Sequence, residues 1–192
     1  MHIGCLFGSF DPPHVGHIAI AEHMLRTQQL DQVWLVVTPQ NPFKKHLVLS
    51  ADTHRLAMVR LAVKGNEKLV ASGFEIDMPR PSYTADSLRF MRHRWPDHVF
   101  DLIIGSDNLA TLKDPEEILE HHTILVYPRE GVEQHLENAV YRDHAKVKIV
   151  NDSPMLNVSS TRIREDIGTW KPVEALVAPD VLRYIRQHRL YH

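Results

Sequence analysis

The chain alternates between short continuous apolar runs and longer stretches in which apolar residues return every three or four positions. Continuous apolar runs are typical of strands that are covered on both faces of a parallel sheet. We therefore predict six strands, at residues 3–8, 33–39, 69–76, 99–105, 123–128 and 147–151.

The stretches between these runs have the spacing of amphipathic helices. Three of them carry an apolar stripe at positions i, i+3 and i+7, formed by Ile18, Ala21 and Leu25, by Leu56, Val59 and Val63, and by Leu88, Met91 and Trp95. The segment "SSTRIREDIG" predicts a further helix, with Ser159 as its N-cap and Gly168 just beyond its end. The segment "PDVLRYIRQH" predicts a terminal helix.

The regular alternation of strands and helices predicts the fold. It indicates one α/β domain, residues 1–192, with a doubly wound Rossmann-like parallel sheet, helices on both faces and a C-terminal helical segment. Ligands of such sheets bind beyond the carboxyl ends of the strands, where the direction of winding reverses. A site is therefore expected in the loops that follow Gly8, Pro39, Ile76, Gly105, Pro128 and Asn151.

Composition and charge exclude several classes of protein. The formal net charge of −2 over 192 residues gives no overall field that would favour nucleic acid or an anionic membrane. The single cysteine, Cys5, excludes an intramolecular disulfide and a zinc site made of cysteines. No apolar run approaches the ~18 residues of a membrane span, and no signal segment is recognised. We expect a soluble, cytoplasmic protein with neither nucleic-acid nor membrane partners.

The segment "GSFDPPHVGH" (8–17) directly follows the first predicted strand. Gly8 allows close approach of a ligand, and Gly16 and His17 fall in the first turn of a helix, where N–H groups and the dipole favour an anion. His14 and His17 could both donate hydrogen bonds to one phosphate chain. The residue types alone favour a strand-to-helix turn with surface histidines, and a zinc pair lacks an obvious third ligand.

The spacing within this segment resembles the signature of the HxGH nucleotidyltransferase superfamily, and in particular the bacterial nicotinate-nucleotide adenylyltransferases. Further motifs of that family follow in order: "PSYT" (81–84), "IIGSDNL" (103–109), "VSSTRIR" (158–164) and the terminal "VLRYIRQHRLY" (181–191). Five matches in order are harder to obtain by chance than one. The chain departs from the family pattern at Pro115, about where a pocket tryptophan is usual.

The resemblance implies the site residues. His14 and His17 are expected to stabilise charge in the transition state. The residues expected to contact ATP are Gly8, Ser9, Phe10, Lys44, Gly105, Asp107, Ser160, Thr161 and Arg164. The residues expected to contact the pyridine nucleotide are Lys44, Ser82, Tyr83, Thr84 and Arg129. No metal ligand from the protein is expected, and Mg²⁺ would arrive with ATP.

The resemblance also implies the reaction, which transfers the adenylyl group of ATP to nicotinate mononucleotide and releases pyrophosphate, in NAD biosynthesis. The 5′-phosphate is the attacking group, so no covalent intermediate is needed and the protein supplies positioning and charge stabilisation. Nicotinamide mononucleotide, or another phosphorylated acceptor, stays open as the substrate. A nucleotide-binding regulator with little turnover and a homo-oligomeric assembly also stay open.

Overall fold

The computed structural model describes residues 1–39, 49–79, 83–129, 137 and 139–192 of the chain. The strands are β1 (His2–Gly8), β2 (Gln32–Val37), β3 (Leu69–Ser72), β4 (Val99–Gly105), β5 (Ile124–Tyr127) and β6 (Val147–Ile149). The α-helices are α1 (Val15–Thr27), α2 (Asp52–Ala62), α3 (Thr84–Arg94), α4 (Ser106–Leu109), α5 (Pro115–His121), α6 (Ser160–Gly168) and α7 (Pro179–Gln187).

The strands form one parallel sheet in the order β3-β2-β1-β4-β5-β6. The chain winds outward from β1 through β2 to β3, then crosses back to β4 and winds the other way. The reversal lies between β1 and β4, whose residues Leu6 and Ile103 are paired. This is the crevice in which a doubly wound sheet binds its ligands, so the predicted fold class is confirmed.

Each face of the sheet has its own core, because neighbouring residues of a strand point to opposite faces. On one face, Cys5 and Leu102 pack with Leu88 and Met91 of α3 and with Ile118 of α5. On the other face, the buried side chains come from β1, β2 and β4 and from α1 and α2, and include Leu6, Leu35, Ile103, Ile20, Ala21, Met24 and Val59. The predicted helical stripes on both faces are therefore core-facing.

The C-terminal helices form a third cluster against α2. Ile163 of α6 and Ile185 of α7 are fully buried, and both pack with Met58 of α2. This cluster confirms the predicted C-terminal helical segment and fixes α6 beside the carboxyl edge of the sheet. Among the described residues, no helix is long and apolar enough to cross a bilayer.

The strands predicted at 33–39 and 147–151 end two residues early, at Val37 and Ile149, and two further predicted boundaries are wrong. The predicted strand 69–76 ends at Ser72, and a 3-10 turn covers Phe74–Asp77. Gly73 passes so close to Leu56 that a Cβ on it would lie 2.7 Å from a leucine methyl carbon, and the chain turns there. Gly168 is the last residue of α6 rather than the residue beyond it, and Thr169 is the C-cap.

The turn after β3 buries a carboxyl group. Glu75 is 3% exposed and accepts a hydrogen bond from the Ser87 hydroxyl of α3. Burial raises the pKa of Glu75 to about 7, and the hydrogen bond opposes part of that rise. The pKa of Glu75 is higher in the folded protein than in the unfolded chain. The protonated group therefore makes its full contribution to stability below the unfolded pKa, and this contribution is lost as pH rises through about 7.

We expect Glu75→Gln to remove this pH dependence. The free energy of unfolding of the variant, minus that of the unchanged protein, should be about 2–3 kcal/mol larger at pH 8 than at pH 5. The reason is that glutamine keeps the shape of the side chain and cannot ionise. Urea unfolding at both pH values measures this. Glu67→Gln, at an exposed position, is the matched control and should show no such gain. An equal effect of Glu75→Gln at both pH values would contradict a buried carboxyl with a raised pKa.

Candidate active site

The loop from Ser9 to His14 connects β1 to α1 at the reversal point of the sheet. The Thr38 N–H donates to the Gly8 carbonyl, which continues the pairing of β1 with the chain beyond β2. His14 is the N-cap of α1, in extended backbone conformation. The loop is therefore held at both ends by regular structure, and it places two histidines at the helix N-terminus.

The two histidines form one unit. The His14 main-chain N–H donates to His17 Nδ1 (3.2 Å), and the two rings stack with centroids 3.6 Å apart and planes 21° from parallel. Since Nδ1 of His17 accepts a hydrogen bond, the proton of the neutral ring lies on Nε2. The His14 Nδ1 is buried and has no hydrogen-bond partner in the described structure. Stacked rings of this kind do not present a chelating pair, which argues against the zinc interpretation.

Both histidines are neutral at physiological pH. Burial lowers the pKa of His14 to about 4, and the positive charge of Arg129 adds to the shift. Burial also holds the pKa of His17 well below its usual range, with contributions from His14 and Arg129. Neutral imidazoles donate hydrogen bonds without carrying a charge of their own. They are suited to stabilising charge that develops on a bound group.

Phe10 supports the histidines rather than facing the open site. Its ring is 1% exposed, lies edge-on to His17 at 4.9 Å between centroids, and belongs to the core below α1. Its backbone is left-handed, with φ of 48°. A Cβ on Gly8 would lie 3.0 Å from the Phe10 ring. The ring thus fills the space that Gly8 leaves, and the buried Phe10 side chain does not face the open site.

A cleft of about 410 Å³ opens beside the histidines. His14, Gly16 and His17 form one wall, and the ends of β5 and of the segment 154–159 form the others. A Cβ on Gly16 would lie 2.8 Å from Val158, so glycine lets α1 approach that segment closely. The 154–159 wall includes the apolar, exposed side chains of Met155 and Leu156, which the sequence motifs did not single out.

Arg129 enters this cleft and pairs with Asp107. Its guanidinium donates to the Asp107 carboxylate at 3.0 Å, and its main-chain N–H donates to the Ser106 hydroxyl. A Cβ on Gly105 would lie 2.5 Å from the Asp107 carboxylate and 2.8 Å from Arg129. A side chain at position 105 would therefore displace one or both partners of this ion pair. Asp107, expected near ATP, and Arg129, expected near the pyridine nucleotide, lie together at the carboxyl ends of β4 and β5.

The N-terminus of α6 faces the β1–α1 loop. Ser159 is its N-cap and accepts from the Arg162 N–H. The Ser160 hydroxyl donates to the Pro12 carbonyl (2.8 Å), and Arg164 donates to the Asp11 carbonyl (2.7 Å). These two side chains, expected on ATP phosphates, thus tie α6 to the loop in this structure.

Thr161, the third residue of α6 expected on ATP phosphates, is exposed. Thr161 accepts a hydrogen bond from Arg164 at 3.3 Å and leaves its side chain open to solvent. The expected phosphate-binding residues of α6 are therefore adjacent to the histidine loop, with one hydroxyl exposed.

Tyr83 and Thr84 lie at the start of α3, on the opposite face of the sheet from α1. Tyr83 is the N-cap of α3, and the ammonium of Lys113 lies 3.6 Å from the centre of its ring. Neither Tyr83 nor Thr84 lines the cleft. Lys113 stands two residues before Pro115, in the stretch where the resemblance leads us to expect an aromatic ring. In this structure the Lys113 ammonium, rather than an aromatic ring from that stretch, packs on Tyr83.

Two predicted residues lie outside the described part of the chain, namely Lys44 and Ser82. Within the described part, no three His, Cys, Asp or Glu side chains are grouped so that they could hold a metal ion.

Sequence reasoning missed one residue that organises the site. Arg55 is fully buried at the start of α2 and donates to the carbonyls of Ser9 (2.6 Å), Thr38 (2.6 Å) and Ser50 (3.1 Å). It also forms an ion pair with Asp52. It therefore joins the ends of β1 and β2. The sequence around Arg55 does not indicate this role, because the groups that it binds are main-chain carbonyls from distant segments.

Comparison with known proteins identifies nucleotidyltransferases as the relatives of this chain. Residues 5–166 match the family model described as Cytidylyltransferase-like. A Flavobacterium johnsoniae protein named "Probable nicotinate-nucleotide adenylyltransferase" is 43% identical over 194 aligned residues, covering 100% of this chain and 99% of the relative. A protein of the same name from Flavobacterium psychrophilum is 42% identical with the same coverage.

Solved structures agree with the fold. Plasmodium falciparum nicotinic acid mononucleotide adenylyltransferase, complexed with NaAD, has a TM-score of 0.77 at 18% identity, covering 99% of this chain and 97% of that one. The same enzyme complexed with APC has a TM-score of 0.75 at 18% identity, covering 99% and 96%. At this identity the likeness shows a shared fold.

Proposed function

The chain belongs to the cytidylyltransferase-like family, and we propose that it transfers the adenylyl group of ATP to nicotinate mononucleotide, giving nicotinate adenine dinucleotide and pyrophosphate. Relatives that carry the name of this activity match the full chain at up to 43% identity. The observation that carries the proposal is the stacked, neutral His14–His17 pair, which lies beside Arg129 in a cleft at the reversal point of the sheet.

The chemistry is a single displacement at phosphorus. An oxygen of the mononucleotide 5′-phosphate forms a bond to the α-phosphorus of ATP, and the bond from that phosphorus to the bridging oxygen of the β-phosphate breaks. Pyrophosphate leaves with the electron pair. A phosphate is already ionised and nucleophilic at neutral pH, so no base has to remove a proton first. The protein has to align the two substrates and stabilise the charge that develops.

We assign that stabilisation to His14 and His17. The Nε2 proton of His17 is free to donate because its Nδ1 accepts the His14 N–H. The N-terminus of α1 adds the favourable end of the helix dipole at the same place. Burial keeps both rings neutral, and among the described residues neither ring is paired with a carboxylate that would have to be displaced before the ring donates to the α-phosphate. His17 carries more of the effect because its donor is fixed by the tautomer.

The substrates are assigned to opposite sides of the strand ends. We propose that ATP lies on the side of α1 and α6, with its phosphates on Ser9, Lys44, Ser160, Thr161 and Arg164 and its adenosine near Gly105 and Asp107. The pyridine nucleotide would lie toward the start of α3, against Ser82, Tyr83 and Thr84. Helices α1 and α3 pack on opposite faces of the sheet, which supports this division.

Binding of ATP phosphates would change contacts within the site. Ser160 and Arg164 now donate to loop carbonyls. The bond to the Asp11 carbonyl uses only one N–H of the Arg164 guanidinium, so other N–H groups remain to bind a phosphate. Arg129 would exchange part of its pairing with Asp107 for substrate phosphate. We propose that Mg²⁺ enters with ATP, because magnesium ions in such sites take most of their ligands from phosphates and water. It would add positive charge beside the leaving pyrophosphate.

We also propose that ATP and the pyridine mononucleotide are the partners of the protein, without nucleic acid, and that the reaction takes place in the cytoplasm. A second candidate function, a nucleotide-binding regulator that does not turn over, is disfavoured by the preserved donor geometry of His14 and His17.

The proposal is tested by incubating the purified protein with ATP, Mg²⁺ and each mononucleotide in turn, and measuring pyrophosphate. We expect release with nicotinate mononucleotide and much slower release with nicotinamide mononucleotide. Faster release with the amide would change the assigned acceptor. ATP binding without release with either acceptor would favour the regulator.

A further inference from the structure

We propose that Tyr191, in the segment after α7, is a positioning residue for the reaction, which it serves by fixing Asp11 in the loop that carries the catalytic histidines. The family-like ending "VLRYIRQHRLY" contains this tyrosine, and neither the fold nor the proposed chemistry explains its hydroxyl. The inference rests on the proposed function for its kinetic consequences. The contact itself is independent of that function.

Asp11 is the point where three segments meet the loop. Its carboxylate is fully buried, and it accepts from the Tyr191 hydroxyl through Oδ1 (2.5 Å) and from the Ser50 N–H through Oδ2 (3.0 Å). The carbonyl of the same residue accepts from Arg164 of α6. Asp11 lies three residues before His14. Its orientation therefore sets the path of the chain into α1.

The terminal segment is shaped to deliver this hydroxyl. Arg189 and Tyr191 both have left-handed backbone, with φ of 50° and 69°, a conformation that costs a non-glycine residue free energy. A Cβ on Gly168 would lie 3.3 Å from the Tyr191 carbonyl, so the end of α6 leaves room for the chain to pass. The Tyr191 hydroxyl also lies 3.8 Å from the sulfur of Met58, within the third core cluster.

The hydroxyl is held as a donor. Burial raises the pKa of Tyr191, and the neighbouring Asp11 carboxylate raises it further, so the phenol keeps its proton at any pH at which the enzyme works. The hydrogen bond then runs from a neutral phenol to a buried carboxylate, which is stronger than a bond between neutral groups. Without this donor, one oxygen of a fully buried carboxylate loses its partner.

Loss of the contact should appear in turnover more than in substrate binding. We expect Tyr191→Phe, which keeps the ring and its packing, to lower kcat roughly 10- to 100-fold, because a small displacement of a catalytic group has effects of that size. The KM values for ATP and for the mononucleotide should change less than about threefold, because most groups assigned to binding are on other segments.

The matched control is Tyr184→Phe. Tyr184 lies on α7, and its hydroxyl bonds to His54 on α2 rather than to the loop. This variant also deletes one hydroxyl near the terminus and should leave kcat within about twofold. Equal losses of kcat in the two variants, or a loss that follows Tm in both, would reduce Tyr191 to a structural role and overturn the proposal.

A second experiment does not depend on activity. Hydrogen exchange of the peptide covering residues 8–17 should be at least about tenfold faster in Tyr191→Phe than in Tyr184→Phe, because the loop opens more often without the hydrogen bond from Tyr191 to Asp11. Asp11→Asn combined with Tyr191→Phe should lower kcat by less than the product of the single effects, since both remove one interaction. Unchanged exchange, or effects that multiply, would overturn the coupling. If the unaltered protein released no pyrophosphate, the proposed function would fail while exchange still tested the contact.

Discussion

His17→Ala is expected to lower kcat by roughly 10²–10³, equivalent to about 2.7–4 kcal/mol of transition-state stabilisation, the range for losing one preorganised donor. The variant removes the Nε2–H donor at the N-terminus of α1. ATP binding should largely survive, because the proposed phosphate contacts come mainly from other segments. Steady-state kinetics with ATP and nicotinate mononucleotide gives kcat and KM, and calorimetric titration gives ATP affinity.

Two comparison variants make this result specific. His17→Gln retains an N–H donor of similar reach and should recover part of the lost turnover. His93→Ala, at an exposed position of α3, should have no effect. Near-normal turnover in His17→Ala would remove His17 from the mechanism. A large rise in the KM for ATP with unchanged kcat would make it a ground-state binding residue instead.

The largest effect on stability is expected from Arg55→Met. It removes the donor shared by the carbonyls of Ser9, Thr38 and Ser50, and it leaves Asp52 without its guanidinium. Breaking a buried charged network from one side costs about 3–5 kcal/mol in free energy of unfolding. Urea unfolding at pH 7 measures the loss.

Arg60→Met is the matched control for this loss, because Arg60 lies on the same helix and is exposed. It should change the free energy of unfolding by less than about 0.5 kcal/mol. A loss below about 1 kcal/mol in Arg55→Met would contradict the view that this side chain joins the ends of β1 and β2.

Most of the fold could be predicted from local patterns. The apolar runs marked all six strands, because a strand that is buried on both faces must be apolar throughout. The β3 boundary was missed because the apolar letters continue through Phe74 and Ile76, whereas the chain turns at Gly73 under contact with Leu56. The local sequence does not indicate that another helix approaches Gly73 closely.

The site was predicted in part. The motif placed His14 and His17 correctly at the start of α1, because strand, loop and helix are consecutive in sequence. Their stacking, their lowered pKa values and the pairing of Asp107 with Arg129 depend on segments that meet only in the folded chain. The role of Arg55 was invisible for the same reason.

The central claim is that this cleft joins the α-phosphate of ATP directly to a mononucleotide, and ATP labelled at its α-phosphorus tests it in one reaction. With nicotinate mononucleotide and Mg²⁺, we expect the label to appear in the dinucleotide, with one pyrophosphate released for each dinucleotide and no label on the protein. Label that accumulates on the protein or appears as AMP, or that stays in ATP, would contradict the account.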